Sequence, residues 1–307
     1  MNKDSVRTGA ASVGLPDGVR ACLFDLDGVL TKTALVHAAA WKEMFDGYLR
    51  ASAARGGTAF VPFDPVADYD QYVDGKSRAD GTRAFLAARG IVLPEGSPKD
   101  ETEGQWEEEK GESSAGGSVD SAAAARESSA GGSVDSAAAA RESSVGGPET
   151  VESLGDRKNR IVLGLMKENG VEVYDGSLRY VHAVRSAGLR CAVVSSSANC
   201  QTVLAAAGIQ SLFDERVDGI TAQAQKLKGK PAPDMFLAAA RALGMEPEQC
   251  AVFEDALAGV AAGRAGGFAR VVGVDRAGQA QALGDSGADV VVSDPADLLD
   301  RVVREQP

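Results

Sequence analysis

"CLFDLDGVLTKT", residues 22–33, ends a short apolar run in two aspartates, Asp25 and Asp27, and follows them at once with a glycine. Residues two apart on an extended chain project to the same side. Two carboxylates held that close are costly unless something positive or protonated lies between them. The stretch therefore asks for a metal ion and a phosphoryl group at the end of a strand.

Further along, short apolar runs alternate with amphipathic stretches: "LRCAVVSSS" then "CQTVLAAAGI", "CAVFED" then "ALAGVAAGRAGG", "RVVGVD" and then "VVVSD". That alternation is the mark of βαβ units on a parallel sheet. The runs are β-branched and nearly continuous, as strands covered on both faces should be. "CLFDLD" reads as a further strand, separated from the others by a long, mostly helical stretch from Thr33 to Asn169. The expected architecture is α/β: a doubly wound, Rossmann-like core over 19–32 and 171–307, with an α-helical cap domain over 33–170 inserted after the first strand.

Ligands of such sheets sit beyond the carboxyl ends of the strands. Polar residues collect there: Asp25 and Asp27 after the first run, Ser195 after "CAVV", Glu254 and Asp255 at the end of "CAVFED". Lys230 opens "KPAPDMF", where prolines fix a loop leading into a helix.

At 307 residues the chain is long enough for two domains, and its net charge of −12 argues against a nucleic-acid surface, which needs basic residues. No apolar run is long enough to span a bilayer, and residues 1–18 lack the apolar middle of a secretory signal. They read as a disordered lead of a cytoplasmic, monomeric protein without membrane partners. Cys22, Cys191, Cys200 and Cys250 have no metal-knuckle or redox spacing and read as small buried hydrophobes of a reducing compartment.

One segment stands apart. "ESSAGGSVDSAAAAR" begins at Glu112, recurs intact from Glu127 and starts again at Glu142, a period of 15 residues. Its only apolar residues are Ala and one Val, too few to stack as a solenoid or to offset the entropy of ordering. With the acidic run before it, 97–147 reads as a low-complexity insert in a loop of the cap.

The DxDG pattern, the Ser after an apolar strand, the Lys before a proline-rich turn and the closing "ED" together resemble the haloacid dehalogenase superfamily of phosphoryl-transfer enzymes. Phosphoryl transfer needs an in-line nucleophile, neutralisation of the equatorial oxygens and a proton donor for the leaving oxygen. Asp25 suits the nucleophile, since a carboxylate attacks without deprotonation, and Asp27 suits the general acid and base. Magnesium would be held by Asp25, the main-chain carbonyl of Asp27 and Asp255, with Glu254 beside it. Glu254 orienting Lys230 without touching metal is the alternative. Ser195, Ser196 and Lys230 would hold the phosphoryl oxygens.

"FDLDGVLTKTALVHAAAWKEMF", "YVDGKSRADGTRAFL" and "LGDRKNRIVLGLM" are similar to the β-phosphoglucomutase group of that superfamily. Thr33, His37 and Trp41 share one helical face. The resemblance implies that Thr33, His37, Trp41, Arg78 and Lys158 face a sugar phosphate, with Ser197 and Asn199 as further contacts. In "SSSANC" the family commonly has a lysine before the asparagine, where Ala198 stands here, which leaves Ser197, Asn199 and Arg78 for the distal phosphate. Isomerisation of β-D-glucose 1-phosphate through a 1,6-bisphosphate is the leading expectation. A phosphatase of small phosphomonoesters and an idle phosphate-sensing protein remain alternatives.

Overall fold

The computed structural model describes residues 9–96 and 149–304; the repeat insert and residues 1–8 lie outside them. Among the described residues, six parallel strands form one sheet in the order β3-β2-β1-β4-β5-β6. They are β1 (Ala21–Phe24), β2 (Arg190–Val194), β3 (Glu215–Val217), β4 (Cys250–Glu254), β5 (Arg270–Val274) and β6 (Val290–Val292). The helices between them are α5 (Cys200–Ala206), α6 (Gly219–Gln225), α7 (Asp234–Ala242), α8 (Leu257–Ala265) and α9 (Ala280–Asp285), with α4 (Asp175–Ser186) before β2 and α10 (Asp297–Arg304) after β6.

The continuous apolar runs follow from cover on both faces. Cys22 and Phe24 of β1 join Cys191, Val193, Ala251 and Phe253 in one buried cluster, while Ala21 and Leu23 join Ala192, Val194, Cys250 and Val252 in another. Phe24 stacks on Phe253 with centroids 4.6 Å apart, and Tyr180 of α4 packs against both rings. Strand order reverses at β1, whose neighbours are β2 and β4. Their carboxyl ends therefore lie side by side, as a ligand crevice requires.

The strand over 215–217 was not expected from the sequence. It is three residues long, on the sheet edge, with only Val217 buried, so it carries little pattern. The expectation of a disordered lead over 1–18 is corrected from Gly9 onward. Gly9–Val13 is a short 3-10 helix; Ala10, Val13 and Leu15 are buried with Leu298 of α10, and the Tyr180 hydroxyl donates to the Val13 carbonyl at 2.9 Å. A few apolar anchors in a Gly- and Ala-rich stretch suffice once a neighbouring helix supplies the rest of the pocket.

Between β1 and α4 lie α1 (Thr33–Gly56), a π-helical turn (Tyr69–Val73), α2 (Arg78–Ala88) and α3 (Val151–Asn169). They gather around an apolar cluster of their own, with Trp41, Phe45, Phe63 and Phe85 in contact. Local signals set the helix starts. Ser77 caps α2 through the Asp80 amide, and Thr150 and Ser153 cap α3 reciprocally. On either side of the repeat insert the chain is fastened to itself: the Val151 and Glu152 amides donate to the Pro94 and Glu95 carbonyls at 2.9 and 3.0 Å.

Candidate active site

The Asp25 amide continues the ladder beyond β1 by donating to the Phe253 carbonyl at 2.9 Å, which places its carboxylate beside the end of β4. Gly28 then turns the chain with φ of +93°, and a Cβ on it would stand 1.7 Å from an Asp255 carboxylate oxygen. Only glycine meets both demands.

Lys230 lies beneath this edge, its Nζ 2.5 Å from Asp25 Oδ1 and 2.5 Å from Glu254 Oε1, with the Val194 carbonyl at 3.3 Å. Burial works against its charge, but Asp25 and Glu254 outweigh burial and raise it well above the ordinary lysine range. Burial pushes Asp25 up; Lys230 opposes the rise, and Glu254 and Asp27 add to it. Asp255 is raised by burial and then by Asp74, Glu254 and Asp25. One ammonium thus serves a crowd of buried carboxylates.

That imbalance is the test of a metal site. Asp25, Glu254 and Asp255 each offer an oxygen, all within 4.8 Å of one another, and a divalent cation is the charge such hard donors lack. The donor set fits. Glu254 is already engaged at both oxygens, by Lys230 and by the Ala256 amide at 2.8 Å, an arrangement suited to orienting Lys230. The Asp27 carboxylate is not in this cluster; the ligand expected from Asp27 is its main-chain carbonyl.

Instead the Asp27 carboxylate faces the cap. Thr33 Oγ1, at the start of α1, donates to Oδ1, and His37 Nε2, one turn on, stands 3.5 Å from the same oxygen. Ser195 Oγ is 3.3 Å from Oδ2. Behind His37, its Nδ1 is 2.7 Å from Lys158 Nζ of α3, and that ammonium lies 4.9 Å over the Trp41 ring. Burial, then Lys158, pushes His37 down to about 4; burial also pushes Lys158 down to about 7. The helical spacing of Thr33, His37 and Trp41 thus carries one line of contacts from acid/base candidate to cap core.

A cavity of about 50 Å³ lies between cap and sheet. Its lining includes Asp25, Asp27, His37, Trp41, Arg78, Lys158, Ser196, Ser197, Asn199 and Asp255. Thr33, Ser195, Lys230 and Glu254 are buried under this wall. The turn 195–199 is committed to itself and to the cap. Ser195 Oγ accepts from the Ser197 amide at 3.1 Å, and Ser197 Oγ accepts from the Asn199 amide at 3.1 Å. Ser196, read from sequence as a phosphate ligand, donates its hydroxyl to the Gly75 carbonyl of the cap at 2.7 Å. Asn199 Nδ2 donates to Asn159 Oδ1 of α3 at 2.7 Å.

Sequence reasoning missed Asn159, Tyr69 and the turn Asp74–Lys76, all of which line the cavity. Asp74 is pushed up to about 7, first by burial and then by Glu254, with the nearby Tyr69 side chain acting to lower it. The "DG" ahead of the Ser77 cap was the available signal: Gly75 has φ of +69°, and a Cβ there would stand 2.9 Å from that of Ala256.

A model of the haloacid dehalogenase-like hydrolase family matches residues 19–267. A curated β-phosphoglucomutase of Mycobacterium tuberculosis is 50% identical over 94% of this chain and 94% of its own length; one of Bacillus subtilis is 27% identical over 94% and 95%. A crystal structure of β-phosphoglucomutase from Clostridium difficile superposes with a TM-score of 0.61 at 22% identity, covering 94% of this chain and 96% of that one. The last match bears on the fold alone.

Proposed function

The chain belongs to the haloacid dehalogenase-like hydrolase family, in its β-phosphoglucomutase group, and from that premise we propose that it interconverts β-D-glucose 1-phosphate and glucose 6-phosphate. The route is a sugar 1,6-bisphosphate and an aspartyl-phosphate on Asp25. The observation that carries this reading beyond phosphoryl transfer is the tie of the acid/base to the cap: Asp27 is held by Thr33 and faces His37, both on α1.

Asp25 is the nucleophile. Its carboxylate oxygen attacks phosphorus, and the carbon-bound oxygen leaves with a proton from Asp27. In the forward turnover, phosphorylated Asp25 donates to the 6-hydroxyl of glucose 1-phosphate while Asp27 takes that hydroxyl's proton. The bisphosphate turns over, its 1-phosphoryl passes back to Asp25, and Asp27 returns the proton to O1. Lys230 holds the Asp25 and Glu254 carboxylates in place and supplies positive charge beside the transferring group. A divalent cation, magnesium in this reading, would be held by Asp25, Asp255 and the Asp27 carbonyl with Glu254 alongside, and when bound neutralises phosphoryl charge.

The cap decides which acceptor the phosphoryl meets. A cavity of about 50 Å³ is smaller than the roughly 300 Å³ at which ligand pockets begin, so the cap is shut and has to swing away for sugar phosphate to enter. Shut over a substrate, it excludes water, which otherwise competes for the aspartyl-phosphate. Arg78, Lys158, Ser197 and Asn199 face the space the sugar phosphate takes. The four free, buried cysteines support a cytoplasmic setting.

The test is the requirement for bisphosphate. Conversion of β-glucose 1-phosphate should start with a lag that a trace of glucose 1,6-bisphosphate removes; immediate, bisphosphate-independent release of inorganic phosphate contradicts the reading.

A further inference from the structure

A sugar bisphosphate brings two phosphoryl groups into the cavity, and Asp25 and Lys230 account for one of them. The other has to be met by cations on the cap side. Lys158 is engaged, its ammonium 2.7 Å from His37 Nδ1 and seated over Trp41. Position 198, on the core side, carries no charge. The remaining basic residues in the cavity wall are Arg78 and Lys76.

We infer that Lys76 is a binding residue for the non-transferring phosphoryl group of the sugar bisphosphate, acting with Arg78; this deepens the mutase reading and rests on it. Three observations carry it. Lys76 lines the cavity, in the turn between the π-helical segment and α2. Its Nζ donates to the Tyr72 carbonyl at 3.0 Å and the Gln71 carbonyl at 3.4 Å, so two neutral main-chain acceptors steer the ammonium and leave its third N–H for another acceptor. The turn is also pinned to the core, through Ser196 Oγ on the Gly75 carbonyl and through the approach of Gly75 to Ala256, so the closed cap seats the turn that carries Lys76 on Ser196. The two carboxylates nearest in sequence, Asp80 and Asp74, act on the Lys76 charge, and Asp80 is shared with Arg83, from which it accepts at 2.6 Å.

Lys76 thus returns to the cavity the positive charge that Ala198 does not supply. It comes from the cap, so the distal phosphoryl group is held fully only when the cap is shut. A monophosphate that places its one phosphoryl group at Asp25 draws nothing from Lys76, whereas a bisphosphate does.

The experiment compares binding without turnover. In full-length protein carrying Asp25→Asn, with magnesium, the affinities of glucose 1,6-bisphosphate and glucose 6-phosphate are measured by calorimetry. The bisphosphate should bind more tightly, and adding Lys76→Met should cut that preference by about tenfold, the worth of one charged hydrogen bond. Lys76→Arg should keep most of it. A preference unchanged in Lys76→Met, or lost equally in Lys76→Arg, overturns the inference. Failure of the mutase reading shows elsewhere, as wild-type release of inorganic phosphate in place of glucose 6-phosphate.

Discussion

The Lys158 ammonium lies 2.7 Å from Nδ1 of His37, and this one contact fixes which proton the imidazole carries. A protonated lysine only donates, so in that state Nδ1 accepts and the ring hydrogen sits on Nε2, facing Asp27 Oδ1 at 3.5 Å. Burial, reinforced by Lys158, pushes His37 down to about 4 and keeps the ring neutral at physiological pH. A lysine on one cap helix therefore orients a histidine on another, and the histidine faces Asp27, the proposed acid/base of the core.

Cutting that line should uncouple cap from chemistry. His37→Ala is expected to lower formation of glucose 6-phosphate by tenfold or more and to raise the ratio of inorganic phosphate released to glucose 6-phosphate formed. Product analysis under single-turnover conditions checks it. Equal falls in both products would leave His37 with a packing role only.

Lys158 also makes a prediction about stability and pH. Its pKa falls from an ordinary 10.5 to about 7 in the folded protein, chiefly through burial. Between those values the unfolded chain binds a proton that the folded chain does not, so stability rises with pH there and the penalty is complete below about 7. Lys158→Met removes this dependence. Urea unfolding of both proteins from pH 6.5 to 9 should show the advantage of the variant greatest at the low end and shrinking upward; a difference independent of pH contradicts the assignment.

Asp25→Asn keeps the shape of the side chain but has no carboxylate to attack phosphorus. Turnover should fall at least a thousandfold while the far-ultraviolet spectrum and thermal transition stay close to wild type. Retention of a tenth of wild-type turnover would remove Asp25 from its role.

The chain is fastened to itself on both sides of the repeats, by the Val151 and Glu152 amides on the Pro94 and Glu95 carbonyls. Replacing 101–146 with a short Gly/Ser linker should thus change stability by about 1 kcal/mol or less, because loop-closure entropy grows only with the logarithm of length. Chemical denaturation measures this, and a loss of several kcal/mol would mean that the repeats pack on the cap.

The polar edge of the core was legible because strands covered on both faces announce themselves as unbroken apolar runs, and the polar residues that end those runs fall on one edge of the sheet. Asp25, Ser195, Glu254 and Asp255 were found that way, and Thr33, His37 and Trp41 by their spacing along one helix. The rest depends on how cap meets core, which no local pattern encodes. Ser196 looked like its serine neighbours until Gly75 came within 2.7 Å of it, and Asn159 had no visible partner until Asn199 was placed opposite. Residues 9–18 were misread for a related reason: the surface that buries Val13 and Leu15 is supplied partly by α10, at the far end of the sequence.

The central claim is that cap closure commits the aspartyl-phosphate to sugar over water. The direct measurement follows wild-type protein with β-glucose 1-phosphate, magnesium and a trace of glucose 1,6-bisphosphate, quantifying glucose 6-phosphate and inorganic phosphate in the same samples. The account predicts that glucose 6-phosphate accumulates at least tenfold faster than inorganic phosphate. Inorganic phosphate as the main product would contradict it and make the protein a phosphatase.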